Sequence, residues 1–382
     1  MTKIPLHAPI FDSSERKALL DCINSGWVTN GRYINLFEDL IRKYTKSKYV
    51  LATSSGTSAL HISLICAGVK KNDEVLVPTI TFVATINVVL YVNAQPVFFD
   101  SDQYLNLDLE NLQKFFIEET YYRDGFTYNK KTKKRIKAII ATHIFGNCIN
   151  IQKLKKICFK KNIKIIEDAA ESLGSFISID KKLKHIGTTS LAGCLSFNGN
   201  KIITSGGGGA IMTNNYNLYK LGKYLINQAK ENGTEFIHNE IGFNYRISNL
   251  HSSVGYCQLK KIDSILKKKR KIHQIYSSLI DKIDGLRILQ NPPFSKSNNW
   301  LNILVIEDNK KYKKSIIMKN LLKHGIDTRP MWKLNHLQKP FLKFQSYNIK
   351  NAYVHFKNTI CLPSSHNLKK ENIQKIIEII KN

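Results

Sequence analysis

"SFNGNKIITSGGGG", residues 196–209, sets Lys201 ahead of four consecutive glycines, with four residues between. A lysine beside a glycine run suggests phosphate binding. A nucleotide P-loop, however, puts its glycines first and follows them with Lys-Ser/Thr at the start of a helix. The order here is reversed, and Lys201 is followed by Ile202 and Ile203. The stretch is therefore not a cradle for a nucleoside triphosphate. "GCLSF" before it and "AIMT" after it read as strands, and the glycines as a tight, side-chain-free turn that lets backbone pass close to a site.

Outward from that block, residues 48–215 alternate apolar runs with amphipathic ones. "EVLVP" (74–78), "QPVFFD" (95–100), "IKAIIATHIFG" (136–146) and "IKIIEDAA" (163–170) are bounded by polar or turn residues. Such runs fit strands buried on both faces of a mostly parallel sheet. "INIQKLKKICFKKN" (149–162) carries apolar positions at helical spacing, as a crossover helix requires. "YYRDGFTYNKKTKKR" (121–135) breaks the rhythm and reads as a polar surface excursion around an Asp-Gly turn. From about residue 246 the pattern changes to long helices, then to β-like "NWLNILVIED" (299–308) and a helix closed by Gly325. The expected architecture is α/β, with a large domain over 1–245 and a smaller C-terminal α+β domain over 246–382.

The chain has 382 residues, 43% of them hydrophobic, enough for a substantial core. No apolar run approaches the roughly 18–20 residues that span a bilayer, and the first 20 residues lack a signal-peptide pattern. Seven cysteines are scattered without metal-ligand spacing and read as reduced thiols. A cytoplasmic protein without membrane, metal or nucleic-acid partners is expected. The 58 Lys plus Arg against 29 Asp plus Glu give a net charge of +29. Most of the excess is lysine on helix-like surfaces such as "QLKKIDSILKKKRKIHQ" (258–274), and it reads as a solvated face. No nucleic-acid-binding motif accompanies it.

Catalytic groups in open α/β sheets collect beyond the carboxyl ends of strands. Three segments fall there. In "ATSSGTSALHISLICAG" (52–68), small polar residues open a helix, whose free N–H groups can seat a phosphate or simply be capped by Ser or Thr. Asp168 follows the apolar run "IKII", where it can face a ligand or cap the next segment. Lys201 follows "GCLSF". Together they supply what pyridoxal phosphate needs: an amine for a Schiff base, a carboxylate for the pyridine nitrogen, and donors for the phosphate.

"SSGTSALHISL", "VPTITFVATINVVLYVNAQPVFFD", "EDAAESLGS", "SFNGNKIITSGGGGAIMT" and "GFNYRISNLHSSVGYCQLKKID" resemble the DegT/DnrJ/EryC1/StrS family of nucleotide-sugar aminotransferases, which are fold-type I pyridoxal-phosphate enzymes. "EDAAESLGS", "FNGNKIIT", "NKKTKKRIKAI" and "HNEIGFNYR" are similar to the branch acting on legionaminic-acid precursors. That resemblance implies C4 amination of a UDP-linked 2-acetamido-4-keto-6-deoxyhexose for surface-glycan biosynthesis, with GDP- or dTDP-linked 4-keto or 3-keto sugars as alternatives. L-Glutamate would be the donor and pyridoxamine 5'-phosphate the form that carries the amino group. Residue by residue, it implies Lys201 as Schiff-base lysine and proton shuttle, and Asp168 as partner of the pyridine nitrogen. Glu171 would lie near the phenolic oxygen, where many relatives have Gln, and Phe82 against the ring. Gly56, Thr57, Ser58 and Ser196 would surround the phosphate. Asn244 in "GFNYR" would reach the phosphate of a second subunit, so a homodimer with shared sites is expected, and Arg246 would hold that loop. Arg329 in "DTRPMW" would contact the sugar nucleotide. The related C3 dehydrases carry His at the lysine position, so Lys201 points to amino transfer. His143 and His185 read as structural histidines.

Overall fold

The computed structural model describes residues 3–231 and 235–381. Its centre is an eight-stranded sheet of β1 (Tyr49–Thr53), β2 (Glu74–Pro78), β3 (Gln95–Phe99), β4 (Ile136–Thr142), β5 (Lys164–Asp168), β6 (Ala192–Ser196), β7 (Gly209–Thr213) and β8 (Ser346–Tyr347). The order across the sheet is β1-β7-β6-β5-β4-β2-β3-β8. Only β7 runs against its neighbours; the other pairings are parallel. β2 and β7 are buried at every position, the pattern of strands covered on both faces.

Helices Gly56–Cys66, Ala84–Tyr91 and Tyr216–Ile226 cover one face, where Leu64, Val89, Phe98 and Ile211 form a core. On the other face Phe37, Phe99, Phe115, Leu154 and Leu195 form a second. Several helices start at capping side chains. Asp108, Asn150 and Asn215 each accept from an N–H of the first turn, satisfying donors that the helix leaves free.

A second, antiparallel sheet takes Leu286–Ile288, Asn302–Ile306, Thr359–Leu362 and Arg329–Pro330 in that order. Helices Ile262–Ile280, Lys314–Lys323 and Lys370–Lys381 pack on it through Tyr276, Leu321 and Ile373. The chain start joins this unit: Ile4 N–H donates to Gly325 O at 2.9 Å, and Asp327 N–H donates back to Ile4 O at 2.9 Å. β8 returns from this second half to the edge of the large sheet beside β3.

The 121–135 segment is more ordered than its composition suggests. Thr120–Arg123 and Phe126–Asn129 pair as an antiparallel hairpin around Asp124–Gly125, with the Tyr121 and Tyr128 rings stacked across it. All seven cysteines are free. Among the described residues no helix is long and apolar enough to cross a membrane.

Candidate active site

Five carboxyl strand ends of the large sheet open on one cavity of about 650 Å³. After β1, Ser55 caps helix Gly56–Cys66, its hydroxyl accepting the Ser58 N–H at 3.0 Å. Ser54 donates its N–H to Tyr245 O at 2.7 Å, so the "GFNYR" segment braces this turn. Ser54, Ser55, Gly56 and Thr57 line the cavity. Ser58 does not. Its side chain is buried behind the wall and shares hydrogen bonds with the hydroxyls of Ser54 at 3.0 Å and Ser55 at 2.9 Å. Ser196, at the end of β6, lies directly against Gly56 in the cavity wall: a Cβ on Gly56 would lie 2.8 Å from that of Ser196.

The glycine block completes the turn from the other side. A Cβ on Gly209 would lie 2.5 Å from Gly56 N and from Ser55 C and O. Real Cβ atoms do not approach backbone that closely, so only glycine lets β7 pass the start of the helix.

Asp168 ends β5 with only 5% exposure. Thr85 donates its hydroxyl to Asp168 Oδ2 at 2.7 Å, and Ala170 donates its N–H to Oδ1 at 3.1 Å. Glu171 follows in the turn, and its carboxylate receives the Phe145 N–H at 2.8 Å and the Lys201 ammonium at 3.3 Å. Burial raises the Glu171 pKa, while Lys201 and the Phe145 N–H pull it down without cancelling that effect. Lys201 is brought in by the loop after β6.

An aromatic wall faces these groups. Phe82 is exposed within the cavity and meets Trp332 edge-on at 6.1 Å; Phe145 packs on Trp332 at 5.0 Å and Trp300 at 6.1 Å. Arg329 and the N-terminal residues Leu6 and His7 also line the cavity.

Asn244 and Arg246 lie on the exposed side of the "GFNYR" segment, outside the cavity lining of this chain. Asn244 bridges to Asn227, and Arg246 pairs with Thr53 and donates to Asn30 Oδ1 at 3.2 Å. His143 and His185 are fully enclosed beside the sheet. His143 Nε2 pairs with Glu167 Oε2 at 3.1 Å, and Gly187 adds an N–H to the same oxygen. Burial alone would raise the Glu167 pKa, but these partners hold it at about 2. Burial lowers the His185 pKa to about 4.

Sequence reasoning missed Thr85, Phe145, Trp300 and Trp332. Trp332 stood in the quoted "DTRPMW" beside Arg329. Trp300 opens an apolar strand-like run and reads there as core.

The donor set fits pyridoxal phosphate. Asp168 is a buried carboxylate with no cationic partner among the described residues, as a group reserved for a protonated ring nitrogen should be. The helix start at Gly56–Thr57, with Ser54, Ser55 and Ser196 around it, offers N–H and hydroxyl donors to a phosphate. Lys201 stands in the same cavity as the amine.

A sequence profile described as the DegT/DnrJ/EryC1/StrS aminotransferase family matches residues 9–381. A GDP-perosamine synthase of Vibrio cholerae is 31% identical, covering 99% of this chain and 98% of its own. The UDP-4-amino-4,6-dideoxy-N-acetyl-beta-L-altrosamine transaminase of Helicobacter pylori is 27% identical, covering 98% of this chain and 96% of its own. The solved structure of Helicobacter pylori PseC, an aminotransferase involved in the biosynthesis of pseudoaminic acid, superposes with a TM-score of 0.88 at 26% identity. It covers 99% of this chain and 98% of its own.

Proposed function

The chain belongs to the DegT/DnrJ/EryC1/StrS aminotransferase family, and we propose that it transfers the amino group of L-glutamate to C4 of a nucleotide-linked 4-keto-6-deoxy sugar, with pyridoxal 5'-phosphate as cofactor. The observation that carries this reading is the meeting of Lys201, Glu171 and Asp168 in one cavity beside a helix start.

When bound, pyridoxal phosphate supplies an electron sink for the carbon that loses its proton, and it carries the amino group between two half-reactions. Asp168 would hold the proton on the ring nitrogen, its orientation fixed by Thr85 and the Ala170 N–H. Ser54, Ser55, Thr57 and Ser196 would hold the phosphate, and Phe82 would cover one face of the ring. Lys201 would move the proton to and from the α-carbon of glutamate and C4 of the sugar. Glu171 orients that amine, and Arg329 would meet the sugar nucleotide at the cavity mouth.

A UDP-linked 2-acetamido-4-keto sugar is the first reading. It is supported by the "EDAAESLGS" and "HNEIGFNYR" motifs and by the relative named for a UDP-linked 4-amino-4,6-dideoxy sugar. The higher identity to a GDP-perosamine synthase favours a GDP-linked sugar as the second. A homodimer with shared sites is supported by the exposed placement of Asn244 on the segment that braces the phosphate turn. UDP-, GDP- and dTDP-linked 4-keto and 3-keto sugars, offered with glutamate, test the reading through release of 2-oxoglutarate. Turnover of a 4-keto sugar is expected; turnover of 3-keto sugars alone, or of none, would sink it.

A further inference from the structure

Amino transfer as read above requires Lys201 to engage and release the cofactor in every half-reaction. An untethered lysine samples many rotamers, so a defined waiting place would shorten its return. The structure contains one. Lys201 Nζ lies 3.3 Å from Glu171 Oε1 and 4.2 Å from the centroid of the Trp300 ring, with the lysine side chain 12% exposed.

Both walls of this place are fixed by hydrogen bonds. The Trp300 indole N–H donates to Asn200 O at 2.6 Å, the peptide oxygen just before Lys201. The Trp300 N–H donates to Asn298 Oδ1 at 2.9 Å, and its carbonyl accepts from the buried Lys269 Nζ at 2.6 Å. The Asn298 amide nitrogen then donates to Glu171 O at 2.8 Å and Leu173 O at 2.9 Å. One asparagine therefore sets the spacing between the indole and the carboxylate. Phe145 fixes the carboxylate from above with its N–H, from a left-handed backbone with φ of 54°. A bulky residue rarely adopts that conformation, and it persists only where its surroundings impose it.

We propose that Glu171 and the face of Trp300 form a seat for the released Lys201 ammonium, and that Trp300 is a positioning residue for amino transfer. The assignment rests on the reading that Lys201 is the amine that engages the cofactor. It concerns only where that amine waits.

The test uses the full-length cofactor-free protein and so does not depend on the sugar substrate. Trace acetic anhydride competes Lys201 against the exposed Lys17, and mass spectrometry reads both rates. A seated Lys201 is withheld from the reagent. Trp300→Leu should raise its relative rate by about two- to thirtyfold, the range for loss of a cation–π contact, and Trp300→Phe should stay near wild type. Glu171→Gln should also raise it, without removing core volume, and decides the matter if Trp300→Leu opens the fold and exposes Lys269. In the loaded enzyme, Trp300→Leu should lower kcat while leaving KM for glutamate unchanged, and Trp300→Phe should restore it. Wild-type labelling in Trp300→Leu or Glu171→Gln overturns the proposal. So does Trp300→Phe labelling as fast as Trp300→Leu, which would assign the effect to the indole N–H tether instead of the ring face.

Discussion

Gly209→Ala should separate a tight turn that merely joins two strands from one that shapes the site. The new Cβ would lie 2.5 Å from Gly56 N and from Ser55 C and O, all backbone atoms that no side-chain rotation can move away. Relief requires β7 and the start of helix Gly56–Cys66 to part by about 1 Å, given ordinary carbon contacts of about 3.5–4 Å. Overpacking of this kind costs about 1–3 kcal/mol. At about 2 °C per kcal/mol for a large domain, that lowers Tm by roughly 2–6 °C. The same movement displaces the N–H groups proposed to hold the phosphate, and a shift of about 1 Å at a positioned group costs up to about 100-fold in rate. Gly207→Ala is the control. Its nearest neighbour would be His251 Nε2 at 3.6 Å, an ordinary contact, and it is expected to behave as wild type within about 0.5 kcal/mol. Scanning calorimetry of the cofactor-free variants, with titration of pyridoxal phosphate into each, reads both effects. If Gly209→Ala matches Gly207→Ala in Tm and cofactor affinity, the close-approach reasoning is wrong.

Four other outcomes follow from the same geometry. Asp168→Asn keeps the shape but removes the charge proposed to face the ring nitrogen, and the loss of one partner from a buried pair, about 3–5 kcal/mol, should lower the glutamate half-reaction at least 100-fold in stopped-flow absorbance. Glu167 has its pKa held at about 2 against an ordinary 4.5. Its stabilising contribution is therefore complete above about pH 4.5 and is lost as pH falls through about 2. At roughly 1.4 kcal/mol per pH unit this is about 3 kcal/mol, and Glu167→Gln should flatten the acid limb of a urea stability profile. Glu171 shifts the other way, so its ionisation costs stability as pH rises; Glu171→Gln should raise the neutral-pH stability of the cofactor-free protein while slowing turnover, and a destabilised variant would refute that sign. If Asn244 serves the partner's site, mixing inactive Lys201→Ala and Asn244→Ala proteins should restore about a quarter of wild-type activity, because half of the random dimers hold one intact site; no recovery after verified subunit exchange would exclude a shared site.

The large sheet was legible because its chemistry and its architecture use the same positions. Strands such as Glu74–Pro78 and Lys164–Asp168 are continuous apolar runs, and the polar residues that end them are the ones that face the cavity. Lys201 was legible through its glycines, which serve left-handed backbone at Gly206 and Gly208 and close backbone passage at Gly209. The aromatic wall was not. Trp300 lies 99 residues after Lys201 in a run that looks like any buried strand, and only tertiary packing turns its ring toward the amine. Phe145 stands in "HIFG", which continues the apolar pattern of β4, yet the strand ends at Thr142 and Phe145 takes a left-handed backbone. The two-residue β8 has no apolar run to announce it. In the hairpin at 120–129, the lysines that follow hid an alternation the Asp-Gly turn already marked.

The motif "EDAAE" shows how one short stretch can serve three purposes. Glu167 and Asp168 are consecutive in β5, so their side chains leave the strand in opposite directions. Glu167 goes to the inside of the protein, where His143, the Gly187 N–H and Thr189 occupy both its oxygens with hydrogen bonds. Asp168 goes to the cavity, where Thr85 and the Ala170 N–H hold it but supply no cation, leaving a charge to be matched by a ligand. Glu171 comes after the strand has ended, and the turn brings it back to the same cavity under Lys201 and the Phe145 N–H. Carboxylates in separate environments can be structural, ligand-binding and amine-positioning at once. A one-residue slip of β5 that moved Asp168 into the place of Glu167 would bring Ala169 to the cavity, which would then lose the carboxylate proposed to anchor the ring nitrogen. The register of β5 with β4 and β6 is therefore itself part of the active site.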